Sequence, residues 1–179
     1  MTTPQYLPIY WSRLQEASWG LYLAATERGL AFVGSSGGPL DELTAWANRR
    51  YPGSSLTQDD RRMAPYAAEL SEYFRGERQN FTLAFDLQGT PFQQDVWKAL
   101  GSIPFGQTRS YTDIAQSIGK PAAVRAVGTA IGANPLLITV PCHRVIGKNG
   151  TLTGYRGGLE MKTRLLELEQ AAIGSEGRR

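Results

Sequence analysis

The sequence predicts an α/β (α+β) fold in two parts. A small amino-terminal strand–helix domain spans residues 1–88, and a mostly helical carboxyl-terminal domain with a helix-turn-helix spans residues 89–173. Three observations predict it. A hairpin pattern sits near the start, helical periodicity dominates after Gly89-Thr90-Pro91, and the charge changes sign at that punctuation. Residues 1–88 hold 8 Lys/Arg against 10 Asp/Glu, a net −2; residues 89–179 hold 11 against 6, a net +5. A basic half is where a polyanion binds, although a charge that serves only solubility looks the same.

In the first half, the apolar runs Trp19 to Ala25 and Leu30 to Val33 meet at Arg28-Gly29 and predict a hairpin. Gly34 to Gly38 is a loop, and Pro39 opens a helix through Ala47, with Leu40, Leu43 and Ala47 on one stripe. Arg49 to Asp60 reads as a loop. A second helix runs from Met63 to Phe74 and stops at Gly76, a left-handed cap. Phe81, Leu83 and Phe85 alternate with smaller or polar residues and predict a strand. This half has no His and no Cys, and its acids read mostly as solvated faces.

In the second half, Thr90 is the N-cap and Pro91 the first residue of a helix carrying Phe92, Val96, Trp97 and Leu100 to an end near Gly101. A turn at Ile103 to Gly106 follows. Tyr111 to Ile118 and Ala122 to Ile131 are short helices split by Gly119-Lys120-Pro121, the helix-turn-helix pattern. Leu136 to Val140 predicts buried backbone leading to Pro141-Cys142-His143-Arg144, and Lys148-Asn149-Gly150 a turn. The last helix spans Leu159 to Gln170. Residues 174–179 predict a disordered tail.

Composition excludes several classes. With 179 residues, 41% hydrophobic and 20% charged, the chain is packed rather than disordered. No stretch reaches the roughly 18 apolar residues that span a bilayer, so no membrane partner is expected. MTTPQYLPIYW lacks the basic and apolar segments of a secretory leader. One Cys forms neither an internal disulfide nor a cysteine-based zinc site, which points to a reducing, cytoplasmic setting. No cofactor motif and no metal site is present.

On a helical wheel of 122–131, Val124, Val127 and Ile131 share the inward face. The other faces carry Ala122, Ala123, Ala126, Gly128, Thr129 and Gly132, with Arg125 the one long side chain. Each glycine costs a helix about 1 kcal/mol relative to Ala, and a close approach to another surface would offset that. The surface is either DNA, with Arg125 entering the base stack or a groove, or a neighbouring helix of the same protein.

The only Cys and the only His are adjacent, at Cys142-His143. A Cys–His pair is the general recipe for an activated sulfur nucleophile, and Arg144 adds a positive charge favouring thiolate. A lone Cys is otherwise a small apolar filler. In the last helix Glu169 falls on the apolar arc of Met161, Leu165, Leu166 and Leu168, as does Lys162. A buried acid needs a partner: either Lys162, or His143 in a Glu–His–Cys relay. A Cys–His hydrolase and a plain helix-turn-helix binding module remain alternatives at this point.

Pro141-Cys142-His143-Arg144-Val145-Ile146-Gly147 resembles the acceptor motif of the O6-alkylguanine-DNA alkyltransferases (methylated-DNA–protein-cysteine methyltransferases). The resemblance extends over residues 89–170 through Phe92 to Trp97, Ser110-Tyr111, Arg125 to Gly128, Asn134-Pro135, Gly154-Tyr155 and Gly157-Gly158-Leu159. It implies repair of double-stranded DNA containing O6-alkylguanine, with O4-alkylthymine a further substrate, by a monomer that flips the nucleotide and is consumed in one turnover without a cofactor. It implies Cys142 as acceptor, His143 as its base through water, Glu169 orienting the imidazole, Asn134 bracing the acceptor turn and Tyr111 serving the leaving guanine. Arg125 would fill the gap left by the extruded nucleotide, with Ser110, Ala126, Gly128 and Thr129 also on DNA. Tyr111, Pro141, Val145, Tyr155 and Arg156 would form the base pocket. Arg156 departs from the small residues common there, which bears on pocket size. Some relatives hold zinc in the first domain, which here lacks Cys and His. Relatives with Trp in place of the acceptor bind lesions without removing them, and Cys142 separates this chain from them.

Overall fold

In the computed structural model, which describes residues 7–177, strand β1 (Pro8–Glu16) forms the spine of a four-stranded sheet. Strand β2 (Trp19–Thr26) pairs with it antiparallel, β3 (Gly29–Val33) extends the sheet beyond β2, and β4 (Ser55–Gln58) lies parallel to β1 on the other side. Side chains alternate across a strand, so this register sends Ile9, Tyr22, Ala24 and Phe32 to one face, where helix α1 (Leu40–Arg50) covers them with Leu43, Trp46 and Ala47. Helix α2 (Asp60–Phe74) packs against β1 and β2, and its Phe74 stacks on Trp19 at 4.6 Å. Helices on both sides explain why β2 and β3 are continuous apolar runs rather than alternating ones.

Three segments depart from the sequence expectation. Strand β1 mixes residues for two covered faces with exposed Arg13 and Gln15, so it carries no clean period. Strand β4 lies in the stretch read as a loop; it is mostly polar and exposed, with Leu56 alone packed against the core, and it pairs with β1. The strand expected at 81–85 is not one: a single bridge joins Leu30 to Phe85. The Thr82 N–H instead donates to the Glu69 carboxylate of α2 at 3.1 Å, a tertiary bond that takes the backbone away from a ladder. Glu69 and Asp86 are also buried rather than solvated. Asp86 accepts from Thr26 Oγ1 at 2.5 Å and from Tyr51 at 3.3 Å, and burial with that carboxylate pushes the Tyr51 phenol up to about 12.

The chain divides into two compact units between Leu87 and Gln88. The second opens with helix α3 (Pro91–Gly101), started by Pro91 and a reciprocal cap between Thr90 and Gln93. Trp97 Nε1 donates to Ala130 O at 2.9 Å and ties α3 to α5 (Val124–Gly132). Helix α4 (Tyr111–Ser117) packs on both. Residues 118–123 join α4 to α5, a longer connection than the three-residue break read from sequence. The last helix, α6 (Leu159–Glu176), runs past Gln170. The disorder expected from Gly174 is therefore replaced by helix through Glu176. Gln170 Nε2 bonds Gly106 O at 2.8 Å, and Ile173 lies where a Gly106 side chain would be. The segment read for a leader and the end of the tail fall partly outside the described residues. No helix among the described residues is long and apolar enough to cross a membrane.

Gly29 has φ +148°, and a Cβ there would lie 2.4 Å from Ala84 O. Gly29→Ala should cost the first unit about 1–3 kcal/mol, read as a lower urea midpoint; an unchanged midpoint contradicts the packing.

Candidate active site

The site is assembled by short pieces of irregular backbone. Strands β5 (Arg109–Ser110) and β6 (Val145–Ile146) pair in parallel, Arg109 beside Val145 and Ser110 beside Ile146. That two-rung ladder brings the start of α4, and so Tyr111, next to the turn holding Cys142. Ser110 caps α4: its Oγ accepts from Asp113 N at 3.0 Å while its N–H donates to Asp113 at 2.8 Å.

The segment before the cysteine bends twice. Thr139 N donates to Leu137 O at 2.8 Å around Ile138, whose φ of +71° is rare and strained for a β-branched residue. Cys142 N donates to Val140 O at 2.8 Å around Pro141, at φ −81° and ψ 61°, an inverse γ-turn. Cys142, His143 and Arg144 then form one turn of 3₁₀-helix, all buried. Adjacent residues on an extended strand face opposite ways; this curl lets all three point into the unit.

Asn134 holds the bend together. Its Nδ2 lies 3.2 Å from Leu136 O, 3.0 Å from Val140 O and 3.2 Å from Cys142 Sγ, and its Oδ1 accepts from Leu136 N at 2.9 Å. Cys142 is 3% exposed. Burial pushes the thiol above its ordinary value, against the Asn134 amide, Arg156 and Lys162, which favour thiolate. The sequence expectation of a thiolate promoted by Arg144 is corrected on both counts: the resting sulfur is a thiol, and Arg144 is turned elsewhere.

Glu169, buried in α6, lies 3.1 Å from His143 Nε2 and accepts from Arg144 Nε at 2.9 Å and Nη2 at 2.5 Å. Arg144 Nη1 also donates to Ile103 O at 2.7 Å. Burial alone would raise Glu169; hydrogen bonds from His143 and Arg144 outweigh it and hold the carboxyl below its usual range. Burial pushes the His143 imidazole down, and Arg144 already answers the Glu169 charge that would otherwise stabilise imidazolium. The ring is therefore neutral at pH 7 and able to accept a proton. Of the two partners open for Glu169, the structure brings it to His143; Lys162 goes elsewhere, donating to Val145 O at 2.6 Å and Thr153 O at 3.2 Å.

Arg144 and Lys162 are thus structural members that pattern alone did not assign. The signal available for Arg144 was the cost of burying a carboxylate against a neutral ring alone. Thr153, also unassigned, donates to Tyr111 OH at 2.8 Å. Tyr155 is half-buried, and a Cβ at Gly157 would sit 2.8 Å from its ring, so glycine lets that ring pack. Arg156 folds back onto the Asn134 and Pro135 carbonyls. Along α5, Val127, Ala130 and Ile131 are buried, Gly128 faces the Tyr111 ring, and Arg125, Ala126 and Thr129 are exposed. Among the described residues no group of three His, Cys, Asp or Glu is placed to hold a metal ion.

Fold and site together define a two-unit protein whose second unit holds one buried cysteine, a carboxylate–imidazole pair that begins at the next residue, and a helix with an exposed face of small residues. Residues 9–87 match the family model "6-O-methylguanine DNA methyltransferase, ribonuclease-like domain", and residues 91–171 match "6-O-methylguanine DNA methyltransferase, DNA binding domain". The chain belongs to the 6-O-methylguanine DNA methyltransferase family. It is 61% identical over 164 residues to the inducible methylated-DNA–protein-cysteine methyltransferase of Bacillus subtilis, covering 92% of each chain. It is 41% identical over 162 residues to the Methanosarcina barkeri methylated-DNA–protein-cysteine methyltransferase, covering 90% of this chain and 98% of the relative. Its fold is similar to the crystal structure of Mycobacterium tuberculosis OGT in complex with DNA, with TM-score 0.78 and 42% identity over 91% of this chain and 94% of that one.

The neutral His143 makes stability depend on pH. The unfolded imidazole takes a proton below about 6.5 while the folded one resists it, so stability falls as pH drops through that value. The slope should reach about 1.4 kcal/mol per pH unit. Glu169 acts in the same direction, but only below its ordinary 4.5. Urea denaturation between those values should therefore flatten in His143→Asn; an equal slope in both proteins would mean the ring is charged when folded.

Proposed function

We propose that this chain repairs alkylated DNA by moving the alkyl group from O6 of guanine onto Cys142, once per molecule. The observation that carries the reading is the sole cysteine, its sulfur 3.2 Å from a fixed amide, one residue from a neutral imidazole backed by a buried carboxylate.

The lesion is stacked within the duplex, so the nucleotide rotates out, at a cost of a few kcal/mol. The exposed face of α5, with Arg125, Ala126 and Thr129, approaches the DNA closely because its side chains are small, and Arg125 fills the vacated space. Ser110 and Gly128 lie beside this contact. Phosphate contacts from the basic half supply most of the affinity. The extruded base enters between Tyr111, Tyr155, Pro141 and the Val145 backbone, with Arg156 behind the wall. A neutral thiol is a weak nucleophile, so the proton passes to His143 through one water as the base arrives, and Glu169 steadies the imidazolium. Sulfur attacks the alkyl carbon, the carbon–oxygen bond breaks, and Tyr111 supplies a proton to the departing guanine. The proton lost by sulfur balances the one gained by the base. The product thioether has no leaving group, so the protein is consumed. O4-alkylthymine presents the same carbon–oxygen bond and is a second substrate. One unit supplies sulfur, base and carboxylate, so the protein acts as a monomer and needs no cofactor; a lone cysteine that must stay reduced suits the cytoplasm.

Mixed with duplex DNA containing O6-methylguanine, the protein should gain one methyl mass, on Cys142, and no more with excess substrate. Cys142→Ala should gain none and still bind DNA; a hydrolase or a plain binding module gains no mass at all. Arg125→Ala should slow repair of duplex DNA at least tenfold, the loss of about 1.4 kcal/mol or more, while reacting normally with free O6-benzylguanine. Equal loss on both substrates refutes the finger.

A further inference from the structure

Arg156 follows the pocket-wall Tyr155 and is half-buried. Its Nε donates to Asn134 O and its Nη2 to Pro135 O, each at 3.1 Å. A guanidinium offers its donors in one rigid plane, so two successive carbonyls held by one fork fix the peptides that bear them. These peptides carry the Asn134 side chain. The Asn134 amide nitrogen has two hydrogens and three acceptors within reach: Leu136 O, Val140 O and Cys142 Sγ. Sulfur is the weakest acceptor of the three. A small shift of the backbone would give both hydrogens to the carbonyls and leave the sulfur without a donor.

We propose that Arg156 is a positioning residue for the acceptor sulfur: it fixes the backbone from which the Asn134 amide reaches Cys142 and brings a permanent positive charge to that backbone. The inference rests on the alkyl-transfer reading. The groups that act on Cys142 are the Asn134 amide, Arg156 and Lys162; His143, Arg144 and Glu169 form a buried cluster of their own that begins one residue on. Burial weakens the Lys162 ammonium, which is already committed to Val145 O and Thr153 O. A guanidinium does not lose its proton in a protein. Arg156 is therefore the cation whose charge burial does not weaken, and it acts on Cys142 alongside Lys162. Where a short residue follows the pocket tyrosine, this support has to come from another side chain.

Cys142 is the only cysteine, so its alkylation by iodoacetamide reports ionisation without DNA. Rates for wild type, Arg156→Ser, Arg156→Gln and Arg156→Lys should be followed by intact mass across pH, with thermal unfolding alongside. Arg156→Ser and Arg156→Gln should move the midpoint of the profile up by about one pH unit, roughly tenfold slower at neutral pH. Methyl transfer from O6-methylguanine DNA should fall in proportion. Arg156→Lys should restore the midpoint but only part of the rate, because an ammonium does not span both carbonyls as a fork. If Arg156→Ser fails to fold, the Gln and Lys variants carry the same comparison. A wild-type midpoint in the uncharged variants overturns the inference, whether the rate is unchanged or reduced equally at every pH. Wild-type protein gaining no methyl from DNA would instead refute the alkyl-transfer reading, and the iodoacetamide profile would still decide Arg156.

Discussion

One buried carboxylate organises the second unit. The Glu169 side chain is 1% exposed, and an ion so placed is costly unless opposite charge and donors meet it. Arg144 supplies the charge and His143 a ring nitrogen, so this one carboxylate binds α6 to both residues, and Lys162 adds a bond to Val145 O at the end of the turn. The remaining arm of Arg144 reaches Ile103 O just beyond α3. Because Arg144 neutralises Glu169, His143 is left uncharged. Had Glu169 met His143 alone, the same contact would have favoured imidazolium, which has no room for a further proton. Arg144, a promoter of thiolate by sequence, thus acts one step back, on the charge state of His143.

The sulfur is governed by the opposite economy. It is buried and protonated at rest, held by an amide rather than by an ion. A thiol in that state is slow towards adventitious electrophiles, which suits a protein that, in the proposed reaction, has one use. The backbone that places it is bent by two successive γ-turns, one of them through a strained Ile138. Strain of that kind persists only where the surroundings over-determine it, and Asn134 supplies that constraint with four contacts from one side chain.

The second half was the more legible in sequence. Thr90 and Pro91 give the start of α3 because capping is local chemistry, and the stripe of Val96, Trp97 and Leu100 gives its buried face. The α6 wheel puts Glu169 and Lys162 inside, as they are, but a wheel has no information about which carbonyls or rings wait there; the β5–β6 pairing and the Ile103 carbonyl are long-range. The first half was harder. Its sheet is covered on both sides, which erases the alternation that marks strands, and β4 owes its existence to an edge of β1 rather than to its own residues. Phe81 to Phe85 alternates well and still forms no strand, because a tertiary partner, Glu69, claims the Thr82 backbone.

The last turns of α6 have a practical side. The helix runs on to Glu176 from the residue that fixes His143, and its Gln170 and Ile173 grip the turn at Gly106. Cargo attached near this end is mechanically continuous with the imidazole: torque applied there is delivered along a rigid rod to the hydrogen bond with Glu169. A label or affinity handle spliced in before Glu176 would thus bear on the contact between His143 and Glu169 without touching either residue.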